Sequence, residues 1–146
     1  MVQEMQEVVL SSVLDHRLRL SMRGMQVTRI YVCGPSAQVE LAKLTANKLR
    51  IAGHRVVSTW HEEPDAGYGD GDWSRLKECA ERDLAELGRA GCVVALCPEV
   101  SGGASFELGW AHAQGLRILL IGDGPVMVFH PLFPMLPDVE SVLRIL

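Results

Sequence analysis

Between residues 29 and 121 short apolar runs alternate with longer segments of helical periodicity, and this alternation most constrains the fold. The runs are 30–33 (Ile-Tyr-Val-Cys), 54–59, 92–96 and 116–121. Each is too short for a buried helix and is bounded by glycine, proline or polar residues, as strands are. The segments between them repeat apolar residues every three or four positions. In 36–52 these are Val39, Leu41, Ala42, Leu44, Leu49 and Ala52, with Gly53 as the stop. In 73–89 the expected buried stripe is Leu76, Ala80, Leu84 and Leu87, and a third helix is expected over 103–115. Strand and helix in strict alternation dictate a parallel sheet with helices on both faces. The expected architecture is therefore an α/β three-layer sandwich with a small parallel sheet, flavodoxin-like or Rossmann-like.

At 146 residues the chain suits one domain with a real core. Residues 1–24 read as an N-terminal helical appendage to a domain over 25–146, and Met25 stands as an alternative start. The tail from 123 carries four of the seven prolines, and 139–146 reads as an edge strand or a last helix. A net charge of −4 gives no basic footprint for a nucleic acid polymer or an anionic membrane. No run reaches the roughly 18 apolar residues of a membrane span. Cys33, Cys92 and Cys97 lie in apolar runs with no CxxC spacing, so they read as small buried hydrophobes. Neither a metal site nor a cofactor is expected, and a cytoplasmic, reducing compartment is.

In this architecture ligands bind beyond the C-terminal strand ends, where strand order reverses. Three stretches meet there: 31–36 (Tyr-Val-Cys-Gly-Pro-Ser), 60–73, and 97–103, ending in Ser101-Gly102-Gly103. Gly102 and Gly103 open a helix after a strand, which exposes free N–H groups and the positive dipole end to an anion. Glu107 follows on a helix face shared with Gly103, Ala104, Trp110 and Ala111, too small and apolar to be solvated. The dipole is expected to keep it ionised, which suits a nucleophile or base. Asp83 tends toward the buried side of its helix, whereas Glu78, Glu81 and Glu86 read as solvent charge. Tyr31 on the first strand needs a partner for its hydroxyl. Trp60, Tyr68 and Trp73 are placed to stack on a base or to cap the sheet. His61 and the acidic residues of that loop read as solvated, and His112 as structural. Phe106 and Leu108 are expected to anchor the far side of the third helix.

Together these stretches resemble the nucleoside 2-deoxyribosyltransferase family. The matching residues are 30–35 (Ile-Tyr-Val-Cys-Gly-Pro), 82–84 (Arg-Asp-Leu) through 90–95, and 101–111 with Gly115. The resemblance implies cleavage of the N-glycosidic bond of 2′-deoxynucleosides or their 5′-monophosphates, with the sugar passed to another base or to water. It implies Glu107 as nucleophile, Tyr31 as its hydrogen-bond partner and Asp83 as the acid beside the base. It further implies a small-molecule nucleoside or nucleotide substrate held by Gly34, Pro35, Ser36, Trp60, Ser101, Gly102 and Gly103, in a homodimer or higher oligomer. Ser101, six residues before Glu107, is where free-nucleoside transferases carry an aspartate; the monophosphate N-hydrolase branch has a serine there. Against that branch, the stretch after Gly34 lacks its phosphate-binding arginine. Two alternatives stay open: a ribonucleotide phosphoribohydrolase, whose glycine-rich turn is similar, and a non-catalytic nucleotide-binding module.

Overall fold

A computed structural model describes residues 26–63, 72–97, 99 and 101–146. The expected appendage over 1–24 and the Tyr68 assignment lie outside them. Five strands form one sheet: β1 (Arg29–Cys33), β2 (Arg55–Val56), β3 (Cys92–Leu96), β4 (Arg117–Ile121) and β5 (Met135–Leu136). All pair in parallel in the order β2-β1-β3-β4-β5. The helices are α1 (Val39–Ile51), α2 (Trp73–Leu87), α3 (Gly102–Ala113) and α4 (Val139–Leu143). Helix α1 packs with α4, and α2 packs with α3. The flavodoxin-like sandwich expected from the alternation is the observed fold, and its strand order reverses between β1 and β3.

Central position explains composition. Every residue of β3 is buried, as a strand covered on both faces must be, and its sequence is a continuous apolar run. Helix α1 turns into β2 through Gly53, whose φ of 93° closes the helix, and α3 turns into β4 through Gly115 at φ 71°. Of the two alternatives for 139–146 the helix is found: α4 begins at Val139, with the Asp138 side chain accepting from Ser141 N, and the edge strand β5 lies before that range.

Two expectations are corrected. The strand expected over 54–59 spans only Arg55–Val56. Val57 N still donates to Ile30 O, but Val32 N is then taken by the Ser58 hydroxyl and Val32 O by Trp60 Nε1. Side chains replace the next rung, and the backbone is free to turn away. On α2 the buried positions are Asp83, Glu86 and Leu87, while Ala80 is exposed and Leu76 and Leu84 are half-buried. The C-terminal half of α2 packs down and its N-terminal half overhangs the strand ends.

A Cβ on Gly115 would meet nothing within 4 Å, so any cost of substitution there is conformational. Gly115→Ala is expected to lower unfolding free energy by about 1 kcal/mol, and Gly115→Asn by clearly less. Denaturant melts of the two variants check this; equal losses would overturn it.

Candidate active site

The sheet's reversal places the end of β1 beside the start of α3. Tyr31 and Cys33, two apart on β1, point to one face, the face α3 covers. Tyr31 Oη donates to Glu107 Oε1 at 2.9 Å, and Cys33 Sγ donates to Glu107 Oε2 at 3.1 Å. A cavity of about 280 Å3 opens beside the carboxylate, lined by Gly34, Ser36, Trp60, Asp83, Ser101, Gly103, Ala104 and Glu107. A second, more apolar cavity of about 280 Å3 shares Asp83, Gly103 and Glu107 with it and adds Leu76, Cys79, Ala80, Leu84 and Phe106. The two carboxylates thus stand where a polar and an apolar space meet.

Most of the residues singled out in the sequence converge here. Pro35 and Gly102 do not line either cavity. Pro35 is buried and begins the short 3-10 turn Ser36–Gln38. Ser101 caps α3, accepting from Ala104 N at 3.5 Å. That leaves the N–H groups of Gly102 and Gly103 without helical partners at the cavity's edge. The glycine at 34 serves packing: a Cβ there would lie 3.2 Å from Leu96 Cβ.

Burial governs the electrostatics. It raises Glu107 to about 7; the Cys33 thiol and then the Tyr31 hydroxyl pull it down, and Asp83 and Glu86 push it further up. The expectation that the helix dipole keeps Glu107 ionised is therefore corrected. Glu107 sits past the first turn of α3, where the dipole fades, and desolvation outweighs it. Burial likewise raises Asp83, but Arg82 pulls it back. Arg82 Nε and a terminal nitrogen both contact Asp83 Oδ1, at 3.2 and 2.9 Å, while its other nitrogen meets Glu63. Tyr31 and Cys33 are both raised, first by burial and next by Glu107, so each keeps its proton and remains a donor.

Three further readings are corrected. Glu86, expected in solvent, is 4% exposed and accepts from Thr59 N at 2.9 Å and Thr59 Oγ1 at 2.5 Å. It ties the segment carrying Trp60 to α2. The signal that could have found it is spacing: Glu86 follows Asp83 by three and shares its helix face. His61, expected in solvent, is fully buried against Trp60, with Nε2 at 3.1 Å from Ser58 Oγ and burial lowering its pKa. Its Nδ1 has no hydrogen-bond partner among the described residues. Phe106 is 64% exposed rather than an anchor, although Leu108 is buried as expected. Trp60 is buried and lines the cavity, Trp73 is open to solvent, and His112 packs edge-on to Phe133. Among the described residues no group of three or more His, Cys, Asp or Glu is arranged to hold a metal ion. No helix among them is long and apolar enough to cross a membrane.

No protein-family model matches the chain. No curated protein matches it in sequence. Solved structures do resemble it. One is a 2-deoxyribosyltransferase from Bacillus psychrosaccharolyticus, 17% identical, with a TM-score of 0.61 over 80% of this chain and 90% of that one. Another is a conserved protein from Enterococcus faecalis, 14% identical, with a TM-score of 0.56 over 82% and 96%. A third is a CMP N-glycosidase from Clostridium botulinum, 20% identical, with a TM-score of 0.50 over 80% and 94%. At these identities the likeness establishes a shared fold.

Two expected outcomes follow from the buried carboxylates. Glu107 keeps its proton up to about pH 7 when folded but loses it near 4.5 when unfolded. Between those values the folded state binds more protons, so Glu107 lowers stability as pH rises. Glu107→Gln removes that loss and should stabilise the protein at pH 8 by on the order of 2 kcal/mol relative to pH 4.5. Melting curves across this window check it; a difference independent of pH would refute it. Glu86→Ala should cost about 2 kcal/mol, since Thr59 N and Oγ1 lose their acceptor, whereas Glu86→Gln keeps one acceptor and costs less. Denaturant melts of both variants distinguish the clamp from a mere surface charge, for which both would be neutral.

Proposed function

We propose that this protein cleaves the N-glycosidic bond of 2′-deoxynucleosides or their 5′-monophosphates, with Glu107 as nucleophile. The observation that carries the reading is the Glu107 carboxylate, half-buried beside an open cavity, oriented by Tyr31 at 2.9 Å and sharing that cavity with Asp83. In the first half-reaction an oxygen of Glu107 bonds to C1′ as the C1′–N bond breaks. The departing base takes a proton from Asp83. In the second half, water or another base attacks C1′, the Glu107–C1′ bond breaks, and Asp83 recovers the proton. Burial favours protonated Asp83 before the first step, and Arg82 stabilises its anion afterwards.

Several features support the substrate class. The free N–H groups of Gly102 and Gly103 and the hydroxyl of Ser36 suit the sugar and any 5′-phosphate. The apolar second cavity suits a planar base. The shared fold with a 2-deoxyribosyltransferase accords with transfer. The shared fold with a CMP N-glycosidase favours a second reading, hydrolysis of a nucleoside monophosphate, here with a ribose. A small substrate, no cofactor and a homo-oligomeric assembly complete the proposal.

Chromatography of the protein with deoxynucleosides, their 5′-monophosphates and CMP, with and without a second free base, tests it. A new nucleoside means transfer; free base plus sugar or sugar phosphate means hydrolysis; CMP alone as substrate selects the second reading. Glu107→Gln and Asp83→Asn should each lower the rate at least ~100-fold. Because Glu107 must be ionised, the rate should climb as pH rises through about 7. Ligand binding with no base released, unchanged by Glu107→Ala, would leave a binding module instead.

A further inference from the structure

Among the described residues no cation pairs with Glu107, and one of the two side-chain contacts that offset this comes from a cysteine. Cys33 is wholly buried, and its thiol lies 3.1 Å from Glu107 Oε2 but 3.7 Å from the alternative acceptor, Ala104 O. The thiols of Cys92 and Cys97 approach their nearest oxygens only to 3.7 and 3.6 Å. A thiol has one proton, and the shorter contact takes it. Tyr31 meets the other oxygen, Oε1. We infer that Cys33 is a positioning residue for Glu107, its thiol and the Tyr31 hydroxyl gripping the two carboxylate oxygens from one strand face.

Two-point attachment does what one donor cannot. Held through Oε1 alone, the carboxylate keeps a broad swing about its last bond. Held through both oxygens, its plane is set, and the remaining lone pairs have a defined direction. The surroundings make the second donor necessary. From α2, Asp83 and Glu86 both push the Glu107 pKa up, and Arg82 is committed to Asp83 and Glu63. From the end of β3, Cys97 faces Cys33 and carries no charge that would help. Among the described residues the side chains that hydrogen-bond the anion are the neutral donors of β1. The use of this grip in catalysis rests on the proposed function; the grip itself does not.

A titration without substrate tests the inference. With carboxyl-13C glutamate incorporated, the Glu107 signal is assigned by its loss in Glu107→Gln and followed by NMR against pH. The parent should titrate near 7. Cys33→Ala should raise the midpoint by about one pH unit, the worth of one hydrogen bond to a charged group. Cys33→Ser, which keeps a donor, should return most of that shift. An unmoved midpoint in Cys33→Ala, or an equal shift in Cys33→Ser, overturns the inference. If the alanine variant does not fold, the infrared S–H band of the unmodified protein reads the same bond. A component that moves as Glu107 titrates and vanishes in Glu107→Ala supports it, and no such component overturns it. A shifted midpoint in a protein that releases no base keeps the Cys33 assignment and rejects the enzymatic reading. Base release with an unshifted midpoint does the reverse.

Discussion

The desolvated carboxylate of Glu107 sets the terms for the residues around it. Removing a carboxylate from water is costly, and the structure offsets this with directed hydrogen bonds in place of an opposing charge. Oε1 and Oε2 each accept a hydrogen bond from β1, and that requires β1 and α3 to meet in one register. The parallel pairing of β1 with β3, Tyr31 opposite Val93 and Cys33 opposite Ala95, keeps that register. The chain leaving β3 then reaches Ser101, whose hydroxyl starts α3 at a defined residue and so fixes where Glu107 falls. A slip of one residue in β1 would turn Tyr31 and Cys33 to the opposite face and leave Glu107 buried without donors.

The other wall of the site is built by abandoning the sheet. Beyond Val56 the edge of β1 is completed by Ser58 and Trp60 side chains. Thr59, between them, points to α2 and is caught by Glu86. Alternate residues of one extended segment thus bind two different elements, which fixes Trp60 at the cavity more firmly than packing alone. It also explains why Glu86 is buried: its carboxylate accepts from both Thr59 N and Thr59 Oγ1 in the segment that carries Trp60. The fully buried His61 closes this wall from behind through Ser58.

How much of this was legible in the sequence follows from what periodicity can encode. The parallel sheet and the three long helices register as runs and stripes, because burial of a strand or a helix face repeats along the chain. Glu107 was legible as an anomaly, a carboxylate on a face of small and apolar residues. Glu86 was legible only through its three-residue spacing from Asp83, and His61 was not, because its burial comes from packing of its turn against α1 and nothing local distinguishes it from solvated neighbours. The early end of β2 was hidden for the same reason: Ser58 and Trp60 mimic a strand rung with side chains. Cys33 was legible as buried but not as a donor, since the apolar run that hides a thiol says nothing of what it faces.

The choice of a thiol at 33 has a chemical logic under the proposed reaction. An acceptor that becomes a sugar ester during turnover loses most of its negative charge, and any donor aimed at it loses a strong bond. A buried hydroxyl would then stand unsatisfied at a cost of about 1–3 kcal/mol. A thiol is a weak donor that also packs as a hydrophobe, so it loses less when the bond weakens. Ala104 O, at 3.7 Å, remains as a fallback acceptor. Tyr31 grips through a stronger donor at 2.9 Å, and its hydroxyl borders the carboxylate at the cavity side of the strand. One donor strong enough to orient the anion and one weak enough to release it is the pairing a transient covalent attachment calls for.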